Sequence, residues 1–430
     1  MVTVVVATRP QVAALYLARL KGPVHCLIPV GTEQSWRAAV PETPVHAVPS
    51  WTDYTALAAA TARLPVTRVV GTDEMTIAAA GYLRTLLGIP GQSWSQAIAF
   101  TDKATMKSAL HAAGIPVAPW SVAHSLQDAV TIGDELGWPI VLKPRRGFGA
   151  VGTTRAYSPQ HLFDLAAQGH FEGHDPLSDA ERAFQTTGIY SGLLSSPNGF
   201  QVERCIDVAA EFTCDCVLWN GEPRLTLVTR YTDTVLDAVE QGGACEFLTM
   251  PDGDPDTHAV TELTRRAMTA LQLQTGQVHC EVFRTADGKH VLGEIACRAG
   301  GGALPALSEL LFGVNTLSVG VDLGVGTEPK AAQPRAHTAL GVVGIPFPAG
   351  IIEQAPTEEE LELLPGVVRA DVRVRTGDIS GGGLGSVGAA AYLFIEPQPG
   401  QTVHTQMSMV RALAKPRFRI APLDTELVKQ

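Results

Sequence analysis

The sequence predicts a multidomain protein that joins a parallel α/β layer to α+β parts, and three observations carry that expectation. At 430 residues the chain is long enough for about three domains. Its first hundred residues alternate β-branched apolar runs with Ala- and Leu-rich helical stretches, the pattern of a parallel layer. Farther on, strand-like runs follow one another through turn signals instead of helices, most plainly in GQVHCEVFRTADGKHVLGEIACRAGGG from Gly276 to Gly302. The expected division is 1–100, an N-terminal α/β domain; 101–325, a nucleotide-binding and catalytic core; and 326–430, a small C-terminal α+β domain.

Composition narrows the class. Hydrophobic residues make up 45% and charged residues 17%, which suits sizeable cores. No apolar run reaches the roughly 20 residues of a membrane span, so no membrane association is expected. A net charge of −11 argues against a nucleic-acid surface, which needs clustered Lys and Arg. Seven cysteines without regular spacing point to a reduced, cytoplasmic protein. Cys214 and Cys216 fit core packing better than a metal pair.

Taken in order, VTVVVA, HCLIPV and RVVGTDE supply the N-terminal strands. No glycine fingerprint follows the first of them, which argues against a separate dinucleotide site. TDKATMKSALHAAGIP (101–116) is a helix capped by Thr101, ended at Gly114 and stopped by Pro116. Lys103 falls in its first turn, where the helix dipole disfavours a cation unless an anion is near. In WPIVLKPRRGFGAVGTT a buried strand ends at Lys143 and runs into a loop with Gly147, Gly149 and Gly152. Small residues let backbone N–H groups approach phosphate oxygens while a lysine adds charge; the Walker A spacing is absent. FQVERCI and EFTCDCVLW are strands, the latter with Phe212, Cys214, Cys216 and Leu218 on a core face and Glu211, Thr213 and Asp215 on a wet one.

The hairpin 276–302 is the densest stretch. With the turn centred between Asp287 and Gly288, opposed residues sum to 575. Glu281 then faces Glu294, His279 faces Ala296 and Phe283 faces Leu292, while Val278, Cys280, Val282, Val291 and Ile295 form the core face. Directly opposed carboxylates repel, and a hard divalent ion such as Mg²⁺ or Mn²⁺ relieves them. Two exposed glutamates in a slipped hairpin are the alternative. For His279 a site role stands beside a structural hydrogen bond to a neighbouring strand. After residue 338 come short strands and loops. GLGSVG (383–388) matches GxGxxG but precedes a strand, so it is expected to be a turn.

The ordered set Lys103, Lys143, Glu203, Glu211, Glu281, Glu294 and Arg298 resembles the ATP-grasp superfamily. The HxE that ends at Glu281 and the EIxxRxGG that begins at Glu294 are most similar to its L-amino-acid ligase branch. The resemblance implies an ATP-grasp fold, best supported from Thr101 to Leu310. It implies ATP held by Lys103, Lys143 and the loop glycines, and adenine read by the segment Glu203, Arg204, Cys205 and Ile206. Glu211 would take the ribose, with Phe283 added to the nucleotide set. Mg²⁺ (or Mn²⁺) would sit on Glu281 and Glu294. Arg298 and His279 are the catalytic candidates, and Arg298, Gly301, Gly302, Arg230 and Glu240 the substrate candidates. The family's Asn two positions after its later acidic ligand is Ala296 here, so one ligand for a further ion is missing. The implied activity is a carboxylate–amine ligase that forms an amide through an acyl phosphate, on amino acids or short peptides. Its partners would be small-molecule carboxylates and amines, with a homodimer left open. A carboxylating ligase of the biotin-carboxylase type and a non-catalytic nucleotide-binding protein are the alternatives.

Overall fold

The computed structural model describes residues 2–173, 192–196, 198–333, 335–337, 339–380 and 388–422; the stretch 383–387 of the GxGxxG match lies outside them. Strands β1 (Val2–Val6), β2 (Val24–Pro29), β3 (Val45–Val48) and β4 (Val66–Gly71) form a parallel sheet in the order β3-β2-β1-β4. Every residue of β1 is buried, as a parallel strand covered on both faces requires. At the carboxyl end of β4, Asp73 caps the helix Glu74–Leu87 through a reciprocal capping box with Thr76. Gly71 precedes that turn, and a Cβ there would lie 3.1 Å from Ala80. The crevice at such strand ends is where parallel sheets receive ligands.

A second sheet holds β5 (Trp120–Ala123), β6 (Ile140–Pro144), β7 (Thr154–Ala156) and β8 (Phe200–Arg204), ordered β5-β8-β6-β7 and antiparallel throughout. Helices Leu126–Leu136 and Pro159–Ala167 cover its apolar face, around Ile140, Leu142, Leu162 and Val202.

The third sheet is the frame of the molecule. It contains β9 (Val208–Trp219), β10 (Glu222–Tyr231), β11 (Phe247–Thr249), β12 (Gly276–Thr285), β13 (His290–Ala296) and β14 (Gly341–Pro346). After β15 (Gly350–Gln354) it resumes with β16 (Val367–Val372) and, past β17 (Ile379–Ser380), with β18 (Ala389–Ile395). Its eight strands run β13-β12-β9-β10-β11-β14-β18-β16, so strands beyond residue 326 share one sheet with the hairpin. β17, β15 and β19 (Arg419–Ala421) make a small separate sheet. Helices Lys103–Ala112 and Pro255–Ala270 pack Met106, Leu110, Val260 and Leu263 against one face of the large sheet, over Phe212, Cys214, Cys280 and Val282. Cys214 and Cys216 are free, buried thiols in that core, as expected. Among the described residues no single helix is long and apolar enough to cross a membrane.

Two sequence expectations need correction. The cap of the helix Lys103–Ala112 is Asp102, whose carboxylate accepts from Thr105 N–H; the Thr101 hydroxyl donates back to Ala97 O at 2.9 Å. In the hairpin the sum of 575 holds for His279–Ala296, Cys280–Ile295 and Glu281–Glu294, then slips. Val282 pairs with Leu292 and Phe283 with Val291. The turn is the cause: Thr285 N donates to Lys289 O and Gly288, at φ +82, donates to Thr285 O, which makes a three-residue loop. A bulge at Gly293 absorbs the difference. Leu292, instead of Val291, therefore joins the core.

Candidate active site

Between the second and third sheets lies a cavity of about 490 Å³, walled by the glycine loop, the β8–β9 connection and the hairpin. The helix that carries Lys103 is tied to the loop twice: Lys103 N donates to Arg145 O at 2.9 Å, and the Arg145 guanidinium meets Asp102 at 2.9 Å. This places the buried Lys103 ammonium 2.9 Å from Gly147 O and 2.9 Å from Glu294 Oε1. Burial alone would lower its pKa, but the carboxylates of Glu294, Glu74 and Glu281 outweigh burial and raise it.

Glu203 stands opposite Val141 on β6, and its carboxylate meets Lys143 at 2.9 Å and Lys107 at 3.0 Å. Burial works to raise Glu203, yet the two ammoniums hold it down at about 2. Lys107 shares that single carboxylate with Lys143. Burial and the neighbouring cation therefore press it down to about 8 despite the pairing. On β9, Glu211 accepts from Val235 N–H at 2.8 Å, and burial together with Glu281 pushes it up to about 8.

The face of β9 expected to be wet is buried instead, with Glu211, Thr213 and Asp215 enclosed by the rest of the molecule, and with β12 it supplies the next layer. His279 Nδ1 lies 3.2 Å from Asp215 Oδ1, and Nε2 lies 3.8 Å from Glu281. Asp215 also accepts from Gly300 N–H at 3.0 Å, so it fixes both the imidazole and the loop after Arg298. A Cβ on Gly300 would collide with that carboxylate. Burial opposes a charge on His279, but Asp215 prevails and lifts it to about 9. Arg298 Nε meets Glu74, at the start of the helix that follows the N-terminal sheet, and Nη1 donates to Ala299 O at 2.8 Å. Beyond Arg298 opens a larger cavity, about 1300 Å³, lined from all parts of the chain.

Comparisons with known proteins agree with this geometry. A family described as "Carbamoyl-phosphate synthase L chain, ATP binding domain" matches residues 102–184. The structure of an L-amino acid ligase from Bacillus licheniformis superposes with a TM-score of 0.69 at 16% identity, over 98% of this chain and 99% of that one. The L-arginine-specific L-amino acid ligase of Bacillus subtilis is 28% identical over 315 residues, 73% of this chain and 71% of its own. The chain is similar to ATP-grasp ligases in sequence and in fold. The D-alanine–D-alanine ligase of Rhodococcus erythropolis is 31% identical over 218 residues, 50% of this chain and 55% of that ligase.

In this chain most of the expected nucleotide residues do come together around the smaller cavity: Lys103, Lys143, Gly147 and Gly149, the segment 203–206, Glu211 and Phe283. Gly152 lines neither cavity; at φ +70 it turns the loop against Pro144. Gly301 and Gly302 line the larger one. Arg230 and Glu240 line neither. Alternation puts Tyr231 into the larger cavity and Arg230 on the opposite face of β10. Glu240 instead approaches Arg155, at 3.6 Å.

Glu281 and Glu294 are directly opposed and both line the smaller cavity. Burial and the charges of Glu281 and Glu74 raise Glu294 against the pull of Lys103. A hard cation would relieve that repulsion, so the pair fits a divalent ion with oxygen ligands. Among the described residues no cluster of three or more His, Cys, Asp or Glu accompanies it.

Sequence reasoning missed Lys107, Asp215 and Glu74. Lys107 falls one helical turn after Lys103, and Asp215 falls on the face expected to be wet, with Glu211 and Thr213, so both carried a signal. Glu74 carried none.

Proposed function

We propose that this ATP-grasp ligase activates the carboxylate of an amino acid or short peptide with ATP and passes the acyl group to an amine. The observation that carries the reading is the junction of the two cavities. Phe148, Gly149, Val151, His279, Glu281 and Arg298 line both, so the smaller, phosphate-suited cavity opens onto the larger at the charged residues. In the first step a carboxylate oxygen bonds the terminal phosphorus as the bond to ADP breaks. In the next the amine nitrogen bonds the acyl carbon, the carbon–oxygen bond to phosphate breaks and the nitrogen releases a proton.

The side chains divide the labour. Lys103 and Lys143 bring fixed positive charge to phosphate oxygens, and Arg298 steadies the developing oxyanion from a site with restricted water. A divalent ion on Glu281 and Glu294 would add charge neutralisation when bound. His279 is held at the junction by Asp215, whose carboxylate raises its pKa against burial, and its Nε2 lies 3.8 Å from Glu281. The similarity to an L-arginine-specific L-amino acid ligase supports an amino acid as one substrate.

The test is ADP release over pairs of amino acids with ATP and Mg²⁺, with the product followed by mass spectrometry. Equal amounts of ADP and of a condensed product are expected. Bicarbonate-dependent turnover, or nucleotide binding without turnover across all pairs, would overturn the reading.

A further inference from the structure

Of the cations around the larger cavity, most are committed. Arg298 pairs with Glu74, Arg84 donates to Val69 O and Gln92 O, and Arg9 faces Asp73. Arg373, just past β16, is placed differently. Its Nη2 donates to Gly302 O at 2.7 Å, and its guanidinium lies 4.6 Å over the ring of the buried Tyr392. No carboxylate partner is found for it among the described residues. Asp378 lines the same cavity, but accepts from Arg375 N–H at 2.6 Å in its own turn. Arg68, the other exposed cation of the lining, lies on β4 beside Gly326 and makes no bond to the loop after Arg298.

We propose that Arg373 is the specificity-determining residue that receives the free carboxylate of the amine-bearing substrate. The inference rests on the ligase reading and deepens it. In joining two amino acids, one carboxylate is consumed and the other must be held without reacting. Arg298 is bound to Glu74 and stands at the cavity junction, where the acyl group is activated. Arg373 is anchored to the same loop four residues on, at Gly302, inside the larger cavity. A guanidinium stacked on an aromatic ring and pinned by one carbonyl has its orientation set and N–H groups left for a planar anion. The acceptor is thus an amino acid or peptide with a free carboxyl terminus, in preference to ammonia or a simple alkylamine.

The experiment compares kcat/KM for an acceptor amino acid and for its carboxamide at saturating ATP and donor. It is run in the wild type, Arg373→Met and Arg373→Lys. The wild type is expected to prefer the free acid. Because the guanidinium is solvent-accessible its charge is screened, and Arg373→Met should cut that preference by about tenfold, the equivalent of about 1.4 kcal/mol, mostly through KM. Arg373→Lys keeps the charge and should restore part of it. Equal loss for acid and amide in Arg373→Met, or an acid preference left intact, overturns the role of Arg373 while the ligase reading stands. Absence of any condensed product in the wild type overturns the ligase reading itself, and this inference with it.

Discussion

Glu203 sits between two lysines, and that arrangement sets how the site answers to acid. Its carboxyl is held at about 2 against 4.5 in the unfolded chain. A depressed carboxyl contributes stability that is complete above about pH 4.5 and fades as pH falls toward 2. Replacing Glu203 with Gln should lower unfolding free energy by on the order of 3 kcal/mol at pH 6. The gap to wild type should close between about pH 4.5 and 2.5, as urea titrations at several pH values would show. Glu294→Gln keeps the size of the side chain but removes a charge from the facing pair. Turnover should drop about a hundredfold or more, read at limiting Mg²⁺, and the melting temperature should fall as well, because the buried Lys103 loses a charged partner. His279→Ala separates the two roles left open for that residue. A drop in kcat at saturating ATP with an intact melting temperature marks a site residue, and the reverse marks a structural one. Its bond to Asp215, together with its place on the cavity junction, makes a loss in both the expected outcome. The residues whose role could be named from sequence were those inside a spaced motif, such as Lys103 and Lys143. Glu74 could not be, because its partner lies 224 positions away and nothing near it in the chain marks it.

At the scale of the element, the hairpin shows what a pattern can and cannot carry. Asp-Gly gave the turn and alternation gave the facing glutamates. Two departures of one residue, a three-residue loop and the bulge at Gly293, cancel before Glu281 is reached. The expected pairing near the site was therefore right although the register behind it was wrong by one. Gly293 is held to glycine by packing: a Cβ there would lie 2.6 Å from the Phe283 ring. Gly293→Ala is expected to destabilise by about 1–3 kcal/mol. Gly293→Ala combined with Phe283→Leu should recover part of it, since the smaller side chain clears the space. A melting-temperature cycle over the two single variants and the double would give the coupling.

Across the whole molecule, the contact between Glu74 and Arg298 joins the helix after the N-terminal sheet to the loop that follows β13. Removing one partner of a buried ion pair strands the other. Glu74→Gln should therefore lower the melting temperature and also reduce kcat, because Arg298 loses the partner that aims it. An unchanged kcat would show that Arg298 is positioned by its bond to Ala299 O alone. The alternation of strand and helix made the N-terminal sheet legible. The joining of late strands to the large sheet was not, since no local pattern says which edge a strand will meet. That joining has a consequence during synthesis. β11 is three residues long and finds β14 only much later in the chain. A nascent chain that has emerged through the hairpin still presents the open edge of β11 to whatever is near it. Such an edge is a template for wrong pairing. The protein's yield in the cell should therefore depend on how quickly residues 341–395 follow. A translational pause placed just before them should increase aggregation without changing a single amino acid.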